Sequence, residues 1–381
     1  MTLRVPVKPP LLRWACERSG HDVEAVAARI PQLPRWLNGE VSPTLKQLEA
    51  FARVTRTPVG YLFLAEPPVE RLPIPDLRTM ASARPKRPSA DLLEMVYACQ
   101  RRQAWYRDYA VEAGEPALPF VGSKRLADDA VVVAATIRHA LAFDLEARAR
   151  LPSWTDALRQ FIEQAEAAGV MVMCSGVVMN DTSRVLDATE FRGFALADDY
   201  APLVFINGTD TKAAQMFTLA HELAHVWLGQ SAVSDGDAAH DPSHEVERWC
   251  DRVAAEVLVP LKVFKHEFRP TNPLDPEVAR LARMFKVSTL VILRRVHDAG
   301  RLTRDAFWRA YGREVERLSS VPRTSGGNFY LTEAARVSKR FARALITSTL
   351  EGHTLYRDAF HMLGLSKQAT FDKLAQSLHV G

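Results

Sequence analysis

The first 65 residues carry short apolar stripes at helical spacing, separated by turn-forming residues. The stripes predict a unit of short helices over residues 9–20, 23–30, 35–37 and 44–54. Asp22 directly precedes the second stripe, where its carboxylate can cap the first turn of a helix. The apolar segment 58–64 closes this predicted unit.

The hydrophobic period changes in the middle of the chain. Long helical stripes predict helices over residues 90–113, 126–143, 154–169, 211–228 and 243–259. Short apolar runs predict strands over residues 170–173, 192–196 and 203–206. From Asp275 onward the pattern is that of helices and turns, apart from the pair Gly326-Gly327. The whole pattern predicts a mainly helical α+β protein with a small β-sheet.

The segment 67–89 separates the first helical unit from the rest. It is rich in proline and arginine, a composition typical of a stiff linker. We therefore predict four segments, which are 1–66, 67–89, 90–274 and 275–381.

Composition narrows the class of protein. The chain has 381 residues, of which 47% are hydrophobic and 25% charged, as in ordinary globular proteins. This composition excludes collagen-like, disordered and disulfide-scaffold classes. The four cysteines are dispersed without a CxxC pair, and no apolar run approaches the length of a membrane span. We therefore expect a cytoplasmic location with no membrane partner.

The net charge of +4 is unevenly distributed. Residues 1–66 carry a net charge of +3 and residues 301–381 carry +6, so the centre is acidic with a net charge of −5. Basic ends favour a nucleic acid or an acidic protein as partner, whereas the alternative is that they are solvated helix faces.

The strongest chemical motif is the pentapeptide His221-Glu222-Leu223-Ala224-His225. Two histidines at positions i and i+4 lie on one helix face, so both rings can bind the same cation. Zinc suits imidazole and carboxylate ligands, and Glu222 is placed beside them to act as a general base. Glu222 is also the only charged residue between Ala213 and Gly229, which indicates a buried active-site helix.

A catalytic zinc needs a third protein ligand. Glu247 follows His225 by 22 residues on the next predicted helix, and Asp251 lies one turn further, where it can orient a ligand histidine. Glu245 is the rival third ligand, but the residue four positions after it is Trp249. We interpret Cys250 as a packing residue, because it points about 300° around the helix from Glu247.

Candidate donors to the oxyanion that forms at a cleaved carbonyl are weaker. Tyr200, His240 and His244 are the three candidates, with loop residues at the surface as the alternative for the two histidines.

These residues resemble the ImmA/IrrE family of zinc metallopeptidases, which are gluzincin-like. The resemblance covers Phe191-Arg192-Gly193-Phe194, residues 213–225 and residues 247–260. In the last stretch Cys250, Asp251 and Val253 stand where the family pattern has Ala, Asn and Phe. The resemblance implies a zincin-like domain over residues 90–274, with Zn²⁺ bound by His221, His225 and Glu247, and Glu222 as catalytic base. It also implies a protein substrate, usually a repressor that is cleaved in a stress response to regulate transcription.

Residues 9–65 resemble a Cro/repressor-type helix-turn-helix domain, most clearly over residues 36–39 and 43–48. One departure concerns residues 30–35, where the recognition helix is shortened and contains Pro31 and Pro34. Because such a helix needs a polar N-terminal turn to reach base edges, we favour a protein-docking or homodimer-forming module over DNA binding. A second helix-turn-helix-like signal covers residues 281–296, with Arg294 and Arg295 as candidate contacts to a nucleic-acid backbone.

Two classes of function remain open at this point. The first is a zinc-dependent endopeptidase that cleaves a partner protein. The alternative is a DNA- or toxin-binding regulator, or antitoxin, with a non-catalytic zinc site. The C-terminal residues 275–381 form a predicted helical region without chemistry of its own.

Overall fold

A computed structural model describes residues 4–77, 88–234, 245–319 and 334–380. The chain divides into two compact units, Met1–Pro73 with Ser82–Tyr97, and Ile74–Ala81 with Ala98–Gly381. The four-segment division from the sequence stays a prediction. Both units are mainly helical, and the described strands form a small mixed sheet and a hairpin, which confirms the predicted α+β class.

The first unit is a group of short helices around an apolar core. Its helices are α1 (Pro9–Arg18), α2 (Val23–Arg29), α3 (Leu33–Leu37), α4 (Leu45–Val54) and a 3₁₀ helix (Val59–Phe63). The side chain of Asp22 accepts a hydrogen bond from the Ala25 N–H, as its position before α2 predicts. Thr44 and Gln47 form a reciprocal capping box at the start of α4. The third helix has only five residues, because the sequence around Pro34 supports no longer one.

The second unit is built around a four-stranded sheet in the order β1-β5-β4-β6. Its strands, with a separate β2–β3 hairpin, are β1 (Met171–Ser175), β2 (Val177–Val178), β3 (Asp181–Val185), β4 (Gly193–Leu196), β5 (Leu203–Asn207) and β6 (Ala232–Ser234). β1 and β5 are parallel, while β4 is antiparallel to both β5 and β6. The three strands predicted from the sequence are present, and β2, β3 and β6 are additional.

Helices cover this sheet and continue to the end of the chain. They are α5 (Ala90–Glu112, whose first turns belong to the first unit), α6 (Ala130–Ala140), α7 (Leu145–Ala149), α8 (Trp154–Ala167), α9 (Lys212–Leu228), α10 (Glu245–Leu258), α11 (Leu261–Glu267), α12 (Leu274–Phe285), α13 (Thr289–Asp298), α14 (Arg304–Ser319), α15 (Lys339–Leu350), α16 (Tyr356–Leu363) and α17 (Gln368–Ser377). One large apolar core joins α6, α8, α9, α10, α12 and α13 with the sheet. No helix in the described residues has the length and apolar character of a membrane span.

The outer edge of β6 is paired with part of the predicted linker. Val233 donates its N–H to the carbonyl of Pro75 and accepts the N–H of Leu77. Residues 75–77 therefore extend the sheet by one short parallel contact, although their proline-rich sequence favoured a free linker.

One arginine that the sequence offered for nucleic-acid contact is buried. Arg295 is 4% exposed, donates to the Val259 carbonyl, and pairs with Glu256 and Asp298. The interpretation of Arg295 as a backbone contact is therefore wrong, because its guanidinium is satisfied inside the fold.

Candidate metal centre

The helix α9 carries the HExxH motif through the middle of the second unit. The side chain of Thr211 caps its first turn, and Gly229 ends it in a left-handed conformation with φ of 68°. Every side chain from Gln215 to Trp227 is buried. A helix that is apolar on all sides is buried on all sides, so the predicted active-site helix has the expected environment.

The two histidines and Glu247 converge inside the protein. The Nε2 atoms of His221 and His225 lie 3.2 Å apart. Glu247, on α10, places Oε1 3.1 Å from Nε2 of His225 and Oε2 3.2 Å from Nε2 of His221. Two elements separated by 22 residues thus bring three nitrogen and oxygen ligand types to one point.

Asp251 lies one turn after Glu247 and orients one of these rings. Its Oδ1 is 2.9 Å from Nδ1 of His221. A carboxylate on the second ring nitrogen fixes the tautomer that presents the other nitrogen to a metal. The structure therefore places Asp251 where the sequence predicted it.

Glu222 points away from the histidines towards the sheet. The hydroxyl of Ser234 on β6 donates a short hydrogen bond to Oε1 of Glu222. Oε2 is buried and has no partner among the described residues. Buried carboxylate atoms normally have partners, so this free oxygen indicates a role other than structural support.

Gly193 on β4 allows the close approach of α9 to the sheet. A Cβ atom at this position would lie 2.6 Å from Cγ2 of Thr218, 2.8 Å from the Phe205 carbonyl oxygen and 3.0 Å from Oε1 of Glu222. Any larger residue would push against the backbone and against the carboxylate. This contact gives a physical reason for the glycine in the Arg192-Gly193-Phe194 segment.

The histidine pair and Glu247 share charge unequally. Burial works against a charged His221, but the carboxylates of Glu247 and Asp251 outweigh it and raise the pKa of His221 well above its usual value. Burial lowers the pKa of His225. Burial also works against an ionised Glu247, yet the adjacent histidines outweigh it and lower the pKa of this carboxyl. Without metal, the charge of Glu247 is therefore compensated by a proton on His221.

Glu222 differs from Glu247 in its electrostatics. Burial raises the pKa of Glu222 to about 8, because the charge on His221 and the hydrogen bond from Ser234 only partly compensate for lost hydration. A carboxyl with a pKa near neutrality can accept a proton and release it again.

Cys250 is closer to the histidines than the sequence interpretation allowed. Its thiol is fully buried, and its sulfur and one nitrogen from each of His221 and His225 all lie within 4.8 Å of one another. A rotation of 300° is only 60° short of a full turn, so residues at i and i+3 are neighbours on a helix. The interpretation of Cys250 as directed away from the site is therefore wrong.

The remaining candidates are placed less favourably. Glu245 is exposed at the start of α10, unlike Glu247. Tyr200 lies in the turn between β4 and β5, where its N–H donates to Asp198, and no recorded contact brings it into the site. His240 and His244 lie outside the described residues. The proposed oxyanion donors therefore stay predictions.

The donor set fits a divalent metal. Two imidazoles and a carboxylate are ligand types that zinc accepts, and they converge in a water-poor interior. Ser234 is the one contact of this site that no sequence motif announced, because the residues after Gln230 have a loop-like composition.

Comparison with known proteins supports a metallopeptidase domain. Residues 165–297 match the Peptidase_M78 family model, described as an IrrE N-terminal-like domain. The match contains α9 and α10 and supports the ImmA/IrrE resemblance for this part of the chain, with a metallopeptidase as its general class.

The other comparisons add little. Residues 337–377 match a family model described as a domain of unknown function (DUF8813). Neither family model covers the N-terminal helices, so the helix-turn-helix resemblance stays a prediction. No curated protein and no solved structure matches the chain.

Proposed function

We propose that this chain is a zinc-dependent endopeptidase that cleaves a partner protein. The observation that carries the proposal is the convergence of His221, His225 and Glu247 at 3.1–3.2 Å inside a domain of metallopeptidase type. A transcriptional repressor, cleaved in a stress or gene-regulatory response, is the substrate that the ImmA/IrrE resemblance suggests.

In this proposal His221, His225 and Glu247 hold the metal, and Asp251 keeps His221 in the binding orientation. The metal, when bound, supplies a Lewis acid that polarises the peptide carbonyl and acidifies water. The chain's own contribution is a rigid, buried set of donors that needs little rearrangement to bind the ion.

Glu222 acts as the general base. Its unpartnered Oε2 accepts the proton of the attacking water while Ser234 holds Oε1 in place. The same carboxyl then gives the proton to the leaving amine, so that one amide bond is exchanged for an amine and a carboxylate. A pKa of about 8 suits both transfers.

The alternative, a DNA- or toxin-binding regulator with a non-catalytic metal site, has no comparable support. The first unit holds a third helix of only five residues, which is short for reading a major groove. DNA binding through residues 9–65 or 281–296 and homodimer formation stay predictions.

Metal content is the first test. Purified wild type is compared with His221→Ala, Glu247→Ala and the matched control Glu245→Ala, which removes an exposed acid two positions from Glu247. We expect about one zinc per chain in wild type and control, and loss of zinc in the other two variants. A wild type without metal after zinc is supplied, or loss of zinc from the control alone, would contradict the proposal.

The catalytic role of Glu222 needs a second test. The Glu222→Gln variant should retain zinc but cleave a protein substrate at least about 100-fold more slowly, because general-base catalysis contributes about that much or more. Retention of full cleavage would exclude Glu222 as the base.

A further inference from the structure

Cys250 is a feature of this site that the proposed activity does not use. It lies on α10, three residues after Glu247, with its side chain fully buried. The other free cysteines among the described residues, Cys16, Cys99 and Cys174, belong to different surroundings. For example, the sulfur of Cys174 is 3.6 Å from Oε1 of Gln215 at the beginning of α9.

The position of the Cys250 sulfur is compatible with binding to the same ion. It groups with one ring nitrogen of His221 and one of His225 within 4.8 Å. Zinc–nitrogen and zinc–sulfur bonds of about 2.0–2.1 and 2.3 Å allow two such donors a separation of up to roughly 4.4 Å. An adjustment of a few tenths of an ångström is enough, and the Cys χ1 rotation can provide it.

The nature of the donor completes the argument. With Glu247, the thiolate would make a set of two imidazoles, one carboxylate and one sulfur. Four protein donors are typical of closed zinc sites, whereas catalytic sites keep one position free for water or substrate. We infer that Cys250 is a fourth protein ligand of the resting metal centre and closes the position that peptide hydrolysis requires.

This inference rests on the proposed metal site and adds a latent state to it. The resting chain holds its metal without access for water, and release of the sulfur opens the centre. Because α10 supplies both Glu247 and Cys250, a small rotation of one helix is enough to change the coordination number.

Cobalt replacing zinc in the full-length chain tests the inference. A thiolate bound to Co²⁺ gives an intense near-ultraviolet charge-transfer band, which nitrogen and oxygen ligands do not give. We expect this band in wild type and in the matched control Cys174→Ala. We expect its loss in Cys250→Ala and in Cys250→Ser, which keeps the side-chain volume, with about one cobalt still bound through His221, His225 and Glu247.

Azide provides a second readout of the open position. It should change the visible cobalt spectrum of Cys250→Ala, where a position is free, and leave that of wild type unchanged. If both Cys250 variants lose cobalt while wild type shows the band, the sulfur is a required ligand and the inference also stands.

The opposing outcomes are distinct. One bound cobalt in wild type without the band, or a band that persists in Cys250→Ala, overturns the inference and leaves the proposed peptidase site intact. Failure of wild type to bind cobalt or zinc overturns both.

Discussion

Two buried carboxylates of the second unit, Glu222 and Glu277, are almost equally hidden from water but are treated in opposite ways. Glu277 is 1% exposed and accepts hydrogen bonds from the Arg269 N–H, from Asn272 and from two nitrogens of Arg280. Glu222 is fully buried and has one described donor, Ser234.

The difference appears in their ionisation. The hydrogen bonds from Arg280 outweigh burial and lower the pKa of Glu277 to about 2. Burial dominates at Glu222 and raises its pKa to about 8. Burial alone therefore does not define a functional carboxylate. The distinguishing feature is a deficit of partners, which costs stability and leaves an oxygen free for proton transfer.

The largest effect is expected for Glu222→Gln in the metal-free protein. The folded-state pKa lies above the unfolded one, so the native state binds the extra proton and its stability falls as pH rises from about 4.5 to about 8. At about 1.4 kcal/mol for each tenfold change, this range corresponds to roughly 4 kcal/mol. The variant should therefore resist urea better than wild type at about pH 9 and equally at about pH 5. Equal stability of the two proteins at both pH values would show that Glu222 is not destabilising.

The opposite sign is expected for Glu277→Gln. The folded-state pKa is lowered, so the ionised carboxylate stabilises the fold above about pH 4.5, and this stability is lost as pH falls towards about 2. The free energy of unfolding at neutral pH should decrease by about 3 kcal/mol, because Arg280 and Asn272 lose a charged acceptor. Urea unfolding at neutral and acidic pH measures it. A stability difference that does not shrink as the pH is lowered would contradict the assignment.

The smallest effect is expected for Ser234→Ala, which makes Glu222 still poorer in partners. Loss of this donor should raise the pKa of Glu222 further and destabilise the metal-free protein above about pH 8 by about 1 kcal/mol. The pH at which stability stops falling should move upward in urea unfolding. Ser234→Thr keeps the hydroxyl and serves as control, and the same shift in both variants would attribute the effect to packing.

Much of the local structure could be predicted from the sequence. The apolar stripes locate α1, α2, α4 and α8 to within a few residues, because helical periodicity depends on neighbours along the chain. The strands β1, β4 and β5 were also predicted. The strand β6 was missed, since three residues ending in a serine-rich stretch give too short a pattern.

The candidate site shows the same division. The spacing of His221, His225, Glu247 and Asp251 allowed a correct expectation of which side chains meet, although their roles stay predictions. Cys250 was misplaced because its angle was considered on an isolated helix without the short way round. The burial of Arg295 depends on Glu256 and the Val259 carbonyl, more than 30 residues earlier in the chain.

The sequence by itself determined the helix that carries His221 and His225 on one face, because an interval of four residues fixes the relative direction of two side chains on a regular helix. Only the tertiary structure decided that Ser234 contacts Glu222, that Gly193 allows α9 to approach the sheet, and that Cys250 reaches the histidines. These contacts join separate elements, and their distances follow from how the elements pack together rather than from spacing along the chain.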